Sequence, residues 1–159
     1  MSDISGKQIA ALFIKLNTNL VYWGRLHLVE VFSANGKGAE TRLTTQQFHS
    51  LICIRDFGLN TVSQISDALC LSKSSASLSI AKMVEKGYLK KECATKNDDG
   101  RKIYLHLTEK GNAAAQATEN ALMKITSSYF DSFDDETKLT LYEHLNTIIQ
   151  ILSTGGTKK

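Results

Sequence analysis

Side chains that can form hydrogen bonds and ionic contacts are concentrated in one short stretch, residues 72–82, which reads SKSSASLSIAK. If this stretch is a helix, a turn of 100° per residue places Ala76 and Ile80 on one face and the polar side chains opposite. The opposite face then carries Ser74, Ser75, Leu78, Lys82 and Glu85. Because serine side chains are short, such a helix can approach another surface closely. The stretch therefore indicates a recognition surface and not a catalytic group of residues.

The flanking residues predict that this helix is followed by a β-hairpin. Ser72 can accept a hydrogen bond from a free N–H of the first turn, and Gly87 favours the left-handed conformation that ends a helix. After Gly87 the apolar pattern alternates, which predicts strands over 88–93 and 103–107. The sequence Asn-Asp-Asp-Gly at 97–100 predicts the turn between them, next to Lys96, Arg101 and Lys102. A helix followed by a basic hairpin is typical of a winged helix-turn-helix, whose helix enters the DNA major groove.

Helical patterns cover most of the remaining chain. They predict helices over about Gln8–Phe32, from Thr44 or Thr45 to Gly58, from a Thr61–Gln64 capping box, from Thr108 to about Phe130, and through Leu141–Leu152. Only Cys70 and Leu71 separate the Thr61 helix from the Ser72 helix, as in a helix-turn-helix. The first and last helices carry more apolar residues than one small domain can bury. The predicted fold is mainly α with a small β-hairpin wing: a winged helix-turn-helix that dimerises through its N- and C-terminal helices.

Composition and charge agree with a DNA-binding globular protein. The chain has 159 residues, 42% hydrophobic and 22% charged, with a net charge of +3. Between Leu71 and Lys102, eight Lys and Arg residues stand against four acids, so this segment carries more positive charge than the whole chain. No apolar run is long enough to cross a bilayer, and the first residues do not read as a secretory signal. A cytoplasmic location is expected.

Several motifs resemble the MarR family of bacterial winged-helix transcription regulators. Asp99-x-Arg101 is followed by Leu-Thr-Glu-Lys-Gly at 107–111, and Met-Val-Glu-Lys-Gly-Tyr-Leu at 83–89 is similar to the family's usual end of the reading helix. The resemblance implies a homodimer that binds a pseudo-palindromic operator. It also implies that a small, often phenolic or aromatic, ligand releases the DNA by binding between the dimerisation and reading parts. The predicted divisions are a dimerisation helix (1–34), the DNA-binding domain (43–110), C-terminal helices that complete the dimerisation region (111–153) and a disordered tail (154–159).

The same resemblance assigns DNA contacts to the predicted helix over 72–82, which is called the reading helix below, and to the hairpin, which is called the wing. Arg101 becomes the residue that enters the narrow, negative minor groove, and Asp99 the partner that orients its guanidinium group. The chain departs from the family at Leu78, where many members have a basic residue. The predicted DNA-binding residues are Ser72, Lys73, Ser74, Ser75, Ser77, Leu78, Lys82, Asp99, Arg101 and Lys102. The predicted effector-binding residues are Tyr22, Trp23 and His27.

Histidines and acids give little support to metal or catalytic chemistry. His27 and Glu30 share a helical face, but the other histidines are scattered, so neither a metal site nor a cofactor is predicted. The sequence contains no nucleophile–base pair, phosphate-binding glycine loop or paired catalytic acids at motif spacing. The chain is therefore not expected to be an enzyme.

The cysteines leave one alternative function open. Cys53 and Cys70 are expected to be buried and structural, whereas Cys93 lies near Lys90 and Lys91 and has the electropositive surroundings of a reactive thiol. The predicted function is a ligand-responsive, homodimeric transcription regulator, and a repressor is the expected type. The alternatives are a thiol-based redox regulator and a winged-helix protein-interaction module that does not read DNA. The sequence leaves open the effector, the operator, the regulated genes and the direction of regulation.

Overall fold

The structure is a computed structural model that describes residues 4–32, 43–93 and 103–155. The chain forms two compact units, Met1–Leu122 and Met123–Lys159. The elements in chain order are α1 (Gly6–His27), α2 (Val29–Phe32), α3 (Thr45–Phe57), α4 (Val62–Ala68), α5 (Lys73–Glu85), β1 (Leu89–Cys93), β2 (Ile103–Leu107), α6 (Glu109–Phe130) and α7 (Asp135–Gly155). The mainly helical fold with a two-stranded antiparallel hairpin confirms the predicted fold class.

Three helices begin with the same capping arrangement. In each, a Ser or Thr side chain accepts from the backbone N–H of a Gln three residues later, and the Gln side chain accepts from the backbone N–H of the cap. The pairs are Ser5 with Gln8 before α1, Thr44 with Gln47 before α3, and Thr61 with Gln64 before α4. The structure thus identifies Thr44 as the cap of α3 and confirms the predicted capping box before α4.

The first helical segment is interrupted, contrary to the prediction of one helix over about Gln8–Phe32. α1 ends at His27, and the residue that follows it, Leu28, has a φ of −108° and a ψ of −2°, away from the values of a regular α-helix. Its N–H still donates to the carbonyl of Gly24, and the chain then resumes as the four-residue helix α2. The apolar periodicity continues through the break, which is why the sequence pattern did not reveal it.

The hydrophobic core of the unit Met1–Leu122 is assembled from several elements. The fully buried side chains include Leu51 of α3, Ile65 of α4, Met83 of α5, Leu105 of β2 and Ala115 of α6. Because α5 contributes to this core, its position is fixed by α3 and α4 on one side and by the hairpin on the other.

The hairpin is joined to the helices through backbone as well as side-chain contacts. β1 and β2 pair with Leu89 opposite Leu107 and Cys93 opposite Ile103, so the predicted strands are confirmed to within one residue. The N–H of Leu105 donates to the carbonyl of Asn60 at 2.8 Å, which attaches β2 to the loop before α4. The predicted turn at 97–100 lies outside the described residues.

The unit Met123–Lys159 contains the end of α6 and the whole of α7. Asp134 precedes α7 and accepts from the backbone N–H of Thr137 at 2.8 Å, so a carboxylate caps this helix. α7 continues to Gly155, so the prediction of a disordered tail from residue 154 is wrong at its first two positions. Residues 152–154 contain neither proline nor glycine, so no residue interrupts the helix before Gly155.

Large apolar side chains are exposed along α1 and along α7. α1 has no buried residue, and Leu12 and Ile14 are among its most exposed apolar side chains. On α7, Tyr142 is 70% exposed and Ile149 is 61% exposed. The predicted dimer requires apolar surface that a single subunit leaves exposed, and both α1 and α7 have such a surface. None of the described helices is long and apolar enough to cross a membrane.

Candidate nucleic-acid interface

Helix α5 presents a polar face whose first turn is fixed by Ser72. The hydroxyl of Ser72 accepts from the N–H of Ser75 at 3.1 Å and donates to the Ser75 hydroxyl at 2.9 Å. Ala76, Ile80 and Met83 are buried beneath the helix, as the apolar spacing predicted for the first two. The serine at the cap therefore both starts the helix and orients a second hydroxyl on its exposed side.

The described residues that were predicted to contact DNA are all exposed. They are Ser72, Lys73, Ser74, Ser75, Ser77, Leu78 and Lys82. Leu78 is 59% exposed and lies opposite the buried stripe of the helix. This arrangement leaves a surface of short hydroxyls, one large apolar side chain and lysines at either end. Such a surface can hydrogen bond to base edges and can bind phosphates at its margins.

The turn that connects α4 to α5 is held by a buried serine. Ser66 is 2% exposed, and its hydroxyl donates to the carbonyl of Leu71 at 2.8 Å. The N–H of Leu71 in turn donates to the carbonyl of Ser66 at 2.9 Å. Cys70 lies in this turn with a φ of 51°, in the left-handed region that is uncommon for residues other than glycine. These contacts fix the angle at which α5 leaves α4.

The other end of α5 is attached to the start of α6. Gly87 has a φ of 74°, which agrees with its predicted role in ending the helix. The hydroxyl of Thr108 donates to the carbonyl of Gly87 at 2.6 Å, and the ammonium group of Lys110 donates to the carbonyl of Lys86 at 2.8 Å. Lys110 also lies 5.3 Å from the centre of the Tyr88 ring. These side chains satisfy carbonyls at the end of α5 that the helix itself leaves unpaired.

Gly111 allows α6 to approach this region closely. A Cβ atom at position 111 would lie 2.0 Å from the carbonyl oxygen of Tyr88, a distance that no side chain can tolerate. Because Gly111 lies within α6, its role is not to form a turn. It permits direct contact between the helix and the backbone that joins α5 to β1.

An ionic contact attaches α3 to α6 farther along the helix. The Arg55 guanidinium donates to the Glu119 carboxylate at 3.0 Å and to Asp56 at 2.7 Å. The hydrogen bond to Asp56, and then that to Glu119, raises the pKa of Arg55 above its ordinary value. The same bond from Arg55 lowers the pKa of Asp56. Both partners of the Arg55–Glu119 pair are only about one quarter exposed, so this contact is shielded from water more than an ordinary surface pair.

Charge on the hairpin is mixed in the described residues. Lys90 and Lys91 are exposed on β1, and His106 lies 3.3 Å from Glu92 across the strands. His106 is therefore a partly exposed residue that pairs with Glu92 across the hairpin. Asp99, Arg101 and Lys102, the predicted wing contacts, lie outside the described residues.

The predicted effector residues do not line the cleft that the structure shows beside them. Tyr22 is 64% exposed, and the rings of Trp23 and His27 stack on α1 with their centres 5.0 Å apart. A separate cleft of about 550 Å³ lies between α1, α2 and the start of α3. Its lining is Leu20, Val21, Gly24, Arg25, Leu28, Val29, Phe32, Thr45 and His49. Sequence reasoning missed this cleft because it follows from how the segments pack.

The described cysteines occupy two kinds of environment. Cys53 is buried, and burial raises the pKa of its thiol, which agrees with a structural role. Cys70 is exposed, so its predicted burial is wrong, because the left-handed turn places it on the surface. Cys93 is exposed at the end of β1. Among the described residues, no group of three His, Cys, Asp or Glu side chains could hold a metal ion.

A comparison with protein families finds a match over the central part of the chain. The sequence model of the MarR family matches residues 43–103, from the residue before the α3 cap to the first residue of β2. Residues 43–103 are therefore similar to a MarR family domain. MarR family proteins are transcription regulators and not enzymes, which agrees with the sequence expectation.

Solved structures show the same fold beyond residues 43–103. A MarR family protein from Bacillus stearothermophilus is 19% identical with a TM-score of 0.68, covering 94% of this chain and 99% of its own. The YusO protein from Bacillus subtilis is 19% identical with a TM-score of 0.65, covering 92% of this chain and 99% of its own. FabT from Streptococcus pneumoniae, solved in complex with DNA, is 19% identical with a TM-score of 0.62, covering 89% and 98%. No curated protein matches the sequence.

Proposed function

We propose that this protein is a homodimeric transcription regulator that binds a pseudo-palindromic operator in the cytoplasm, represses the adjoining genes, and is released by a small-molecule effector. The observation that carries the proposal is the exposed face of α5, a polar surface that protein contacts fix at both ends. Its size and chemistry suit the DNA major groove, which admits one α-helix. The FabT structure, a protein of the same fold in complex with DNA, supports this assignment.

The dimer is proposed from the exposed apolar faces of α1 and α7. Exposed apolar surface of this extent is costly in water, and a second copy of the chain can cover the same faces by two-fold symmetry. Two copies of α5 related by that symmetry match two operator half-sites. This is the physical reason to expect a pseudo-palindromic sequence.

The cleft between α1, α2 and α3 is the proposed effector site, in place of the residues predicted from the sequence. Leu20, Leu28 and Phe32 supply an apolar surface, whereas Arg25 and His49 supply polar groups at the same cleft. An apolar wall with a guanidinium group suits a small hydrophobic or aromatic acid, and a volume of about 550 Å³ is in the range of small-molecule sites. We expect such acids to release the DNA from the wild-type protein and to have no such effect on an Arg25→Ala variant. A DNA-binding assay with and without the acid tests this assignment.

The central test is recovery of bound genomic fragments followed by binding measurements on the recovered sequence. We expect specific binding that weakens steeply with salt, because phosphate contacts release counterions. A winged-helix module that only binds proteins would select no common sequence. A thiol-based redox regulator would release DNA on peroxide treatment and recover with a reductant, and an Ala replacement of Cys70 or Cys93 would abolish that response.

Replacement of Ser75 by Ala is expected to reduce the discrimination between operator and scrambled DNA. The loss should be about 1–3 kcal/mol if one base contact is removed. Fluorescence anisotropy on the two DNAs measures it, with Ser128→Ala as a control because Ser128 is an exposed serine of α6. Equal weakening on both DNAs would contradict a base contact and would assign Ser75 to the phosphate backbone.

Replacement of Arg101 by Ala is expected to weaken operator binding sharply and to leave the melting temperature almost unchanged. The loss of one phosphate-linked charge per subunit should lower the log–log salt slope by about one to two per dimer. Asp99→Ala is the matched comparison. Weaker binding by Asp99→Ala agrees with an acid that orients Arg101, and tighter binding would contradict that role.

A further inference from the structure

Leu78 is the one large apolar side chain at the centre of the exposed polar face of α5. It is 59% exposed, whereas Ala76, Ile80 and Met83 of the same helix are buried. At 100° per residue, the direction of Leu78 falls between those of Ser74 and Ser75, and Lys82 lies one turn farther along the same face. The core already has its apolar stripe on the opposite face of the helix, so packing of this subunit does not require a leucine at this position.

We propose that Leu78 selects operator positions by contacting the C5-methyl group of thymine. This inference rests on the proposed function and adds a specificity-determining residue to it. The methyl group of thymine is the one apolar group that base pairs present in the major groove, and apolar side chains recognise it by contact. A leucine cannot donate to guanine or bind phosphate, so its contribution to affinity depends on the presence of that methyl group.

The neighbouring side chains favour a close approach of Leu78 to the bases. Ser74 and Ser75 are short, and the hydroxyl of Ser75 is directed by its hydrogen bond from Ser72. The first long charged side chain after Leu78 is Lys82, one turn farther along the helix. Leu78 therefore extends farther from the helix than the side chains just before it, and it is the first group to reach the floor of the groove.

Deoxyuridine substitution isolates this contact, since uracil differs from thymine only by the missing methyl group. Each thymine of the selected operator is replaced by deoxyuridine in both half-sites, and the affinity of the wild-type dimer is measured by anisotropy. Loss of one methyl contact should weaken binding about fourfold per half-site, so about sixteenfold for the symmetric operator. We expect this loss at one or two thymine positions per half-site.

Leu78→Ala should bind the thymine operator more weakly and should no longer distinguish thymine from uracil at those positions. Lys82→Ala is the matched control on the same face: it should weaken binding to both DNAs and keep their ratio. Because Leu78 is exposed, circular dichroism and melting should be unchanged in the variant. The proposal is overturned if wild-type protein binds all deoxyuridine operators equally well, or if Leu78→Ala keeps the difference. Absence of any sequence-specific binding overturns the proposed function as well, whereas specific binding that ignores the methyl group overturns only this inference.

Discussion

Replacement of Gly111 by Ala is expected to prevent the native packing of α6 against the backbone that joins α5 to β1. The new Cβ would lie 2.0 Å from the Tyr88 carbonyl oxygen and 2.9 Å from the carbonyl carbon. Both obstructing atoms belong to the backbone between α5 and β1, so no side-chain rotation can relieve the overlap. The helix must move away, which separates the contacts of Thr108 and Lys110 from the end of α5. We expect a loss of about 3 kcal/mol or more in the free energy of unfolding, measured by urea denaturation.

Gly24→Ala is the control for this substitution, since Gly24 also lies within a helix. A Cβ there would meet only a side-chain atom of Leu28 at 4.0 Å, an ordinary contact distance. Because alanine favours a helix over glycine by about 0.5–1 kcal/mol, Gly24→Ala should leave stability equal or slightly higher. A Gly111→Ala variant as stable as Gly24→Ala would contradict the close approach that the structure shows.

The double substitution of Leu145 and Ile149 by Glu is expected to convert the dimer to monomers. Both side chains are exposed on α7 of the single subunit, at 40% and 61%, so the change does not disturb its core. In the proposed dimer the new carboxylates would be buried without partners, which is strongly unfavourable. Sedimentation should detect the monomer, and affinity for the full operator should fall by about 100-fold or more, because the two reading helices are no longer linked.

Gln150→Glu is the matched control for that variant. Gln150 is exposed on α7 but lies about 100° around the helix from Ile149. This variant adds a charge to the same helix and should remain a dimer. Binding to a single half-site should be equal for both variants, which separates a loss of dimerisation from a loss of DNA recognition. A Leu145/Ile149 variant that stays dimeric would contradict the proposed interface.

The sequence predicted well those features that depend on local patterns. The serine cap, the buried stripe of α5 and the stop at Gly87 each follow from the identity of nearby residues, and each was confirmed. The two strands were predicted because their periodicity changes abruptly after Gly87. The same local reasoning identified the exposed residues of the reading helix, although their contacts with DNA stay predictions.

The features that the sequence did not predict depend on contacts between distant residues. The Arg55–Glu119 pair joins side chains that are 64 positions apart. The cleft beside Arg25 and His49 exists because α2 follows a break at Leu28, and the periodic pattern conceals this break. The exposure of Cys70 follows from a left-handed turn that sequence patterns assign to glycine far more readily.

The helix caps differ in their response to acid. α1, α3 and α4 are capped by Ser or Thr with Gln, and none of these side chains titrates. α7 is instead capped by Asp134, whose pKa is lowered by hydrogen bonds from the backbone N–H and then the hydroxyl of Thr137. A carboxyl group whose pKa is lowered in the folded protein stabilises the fold fully at pH values above its ordinary pKa of about 3.9. This contribution is lost as the pH falls through the lowered pKa. Acidification should therefore loosen the start of α7 while the caps of α1, α3 and α4 remain intact.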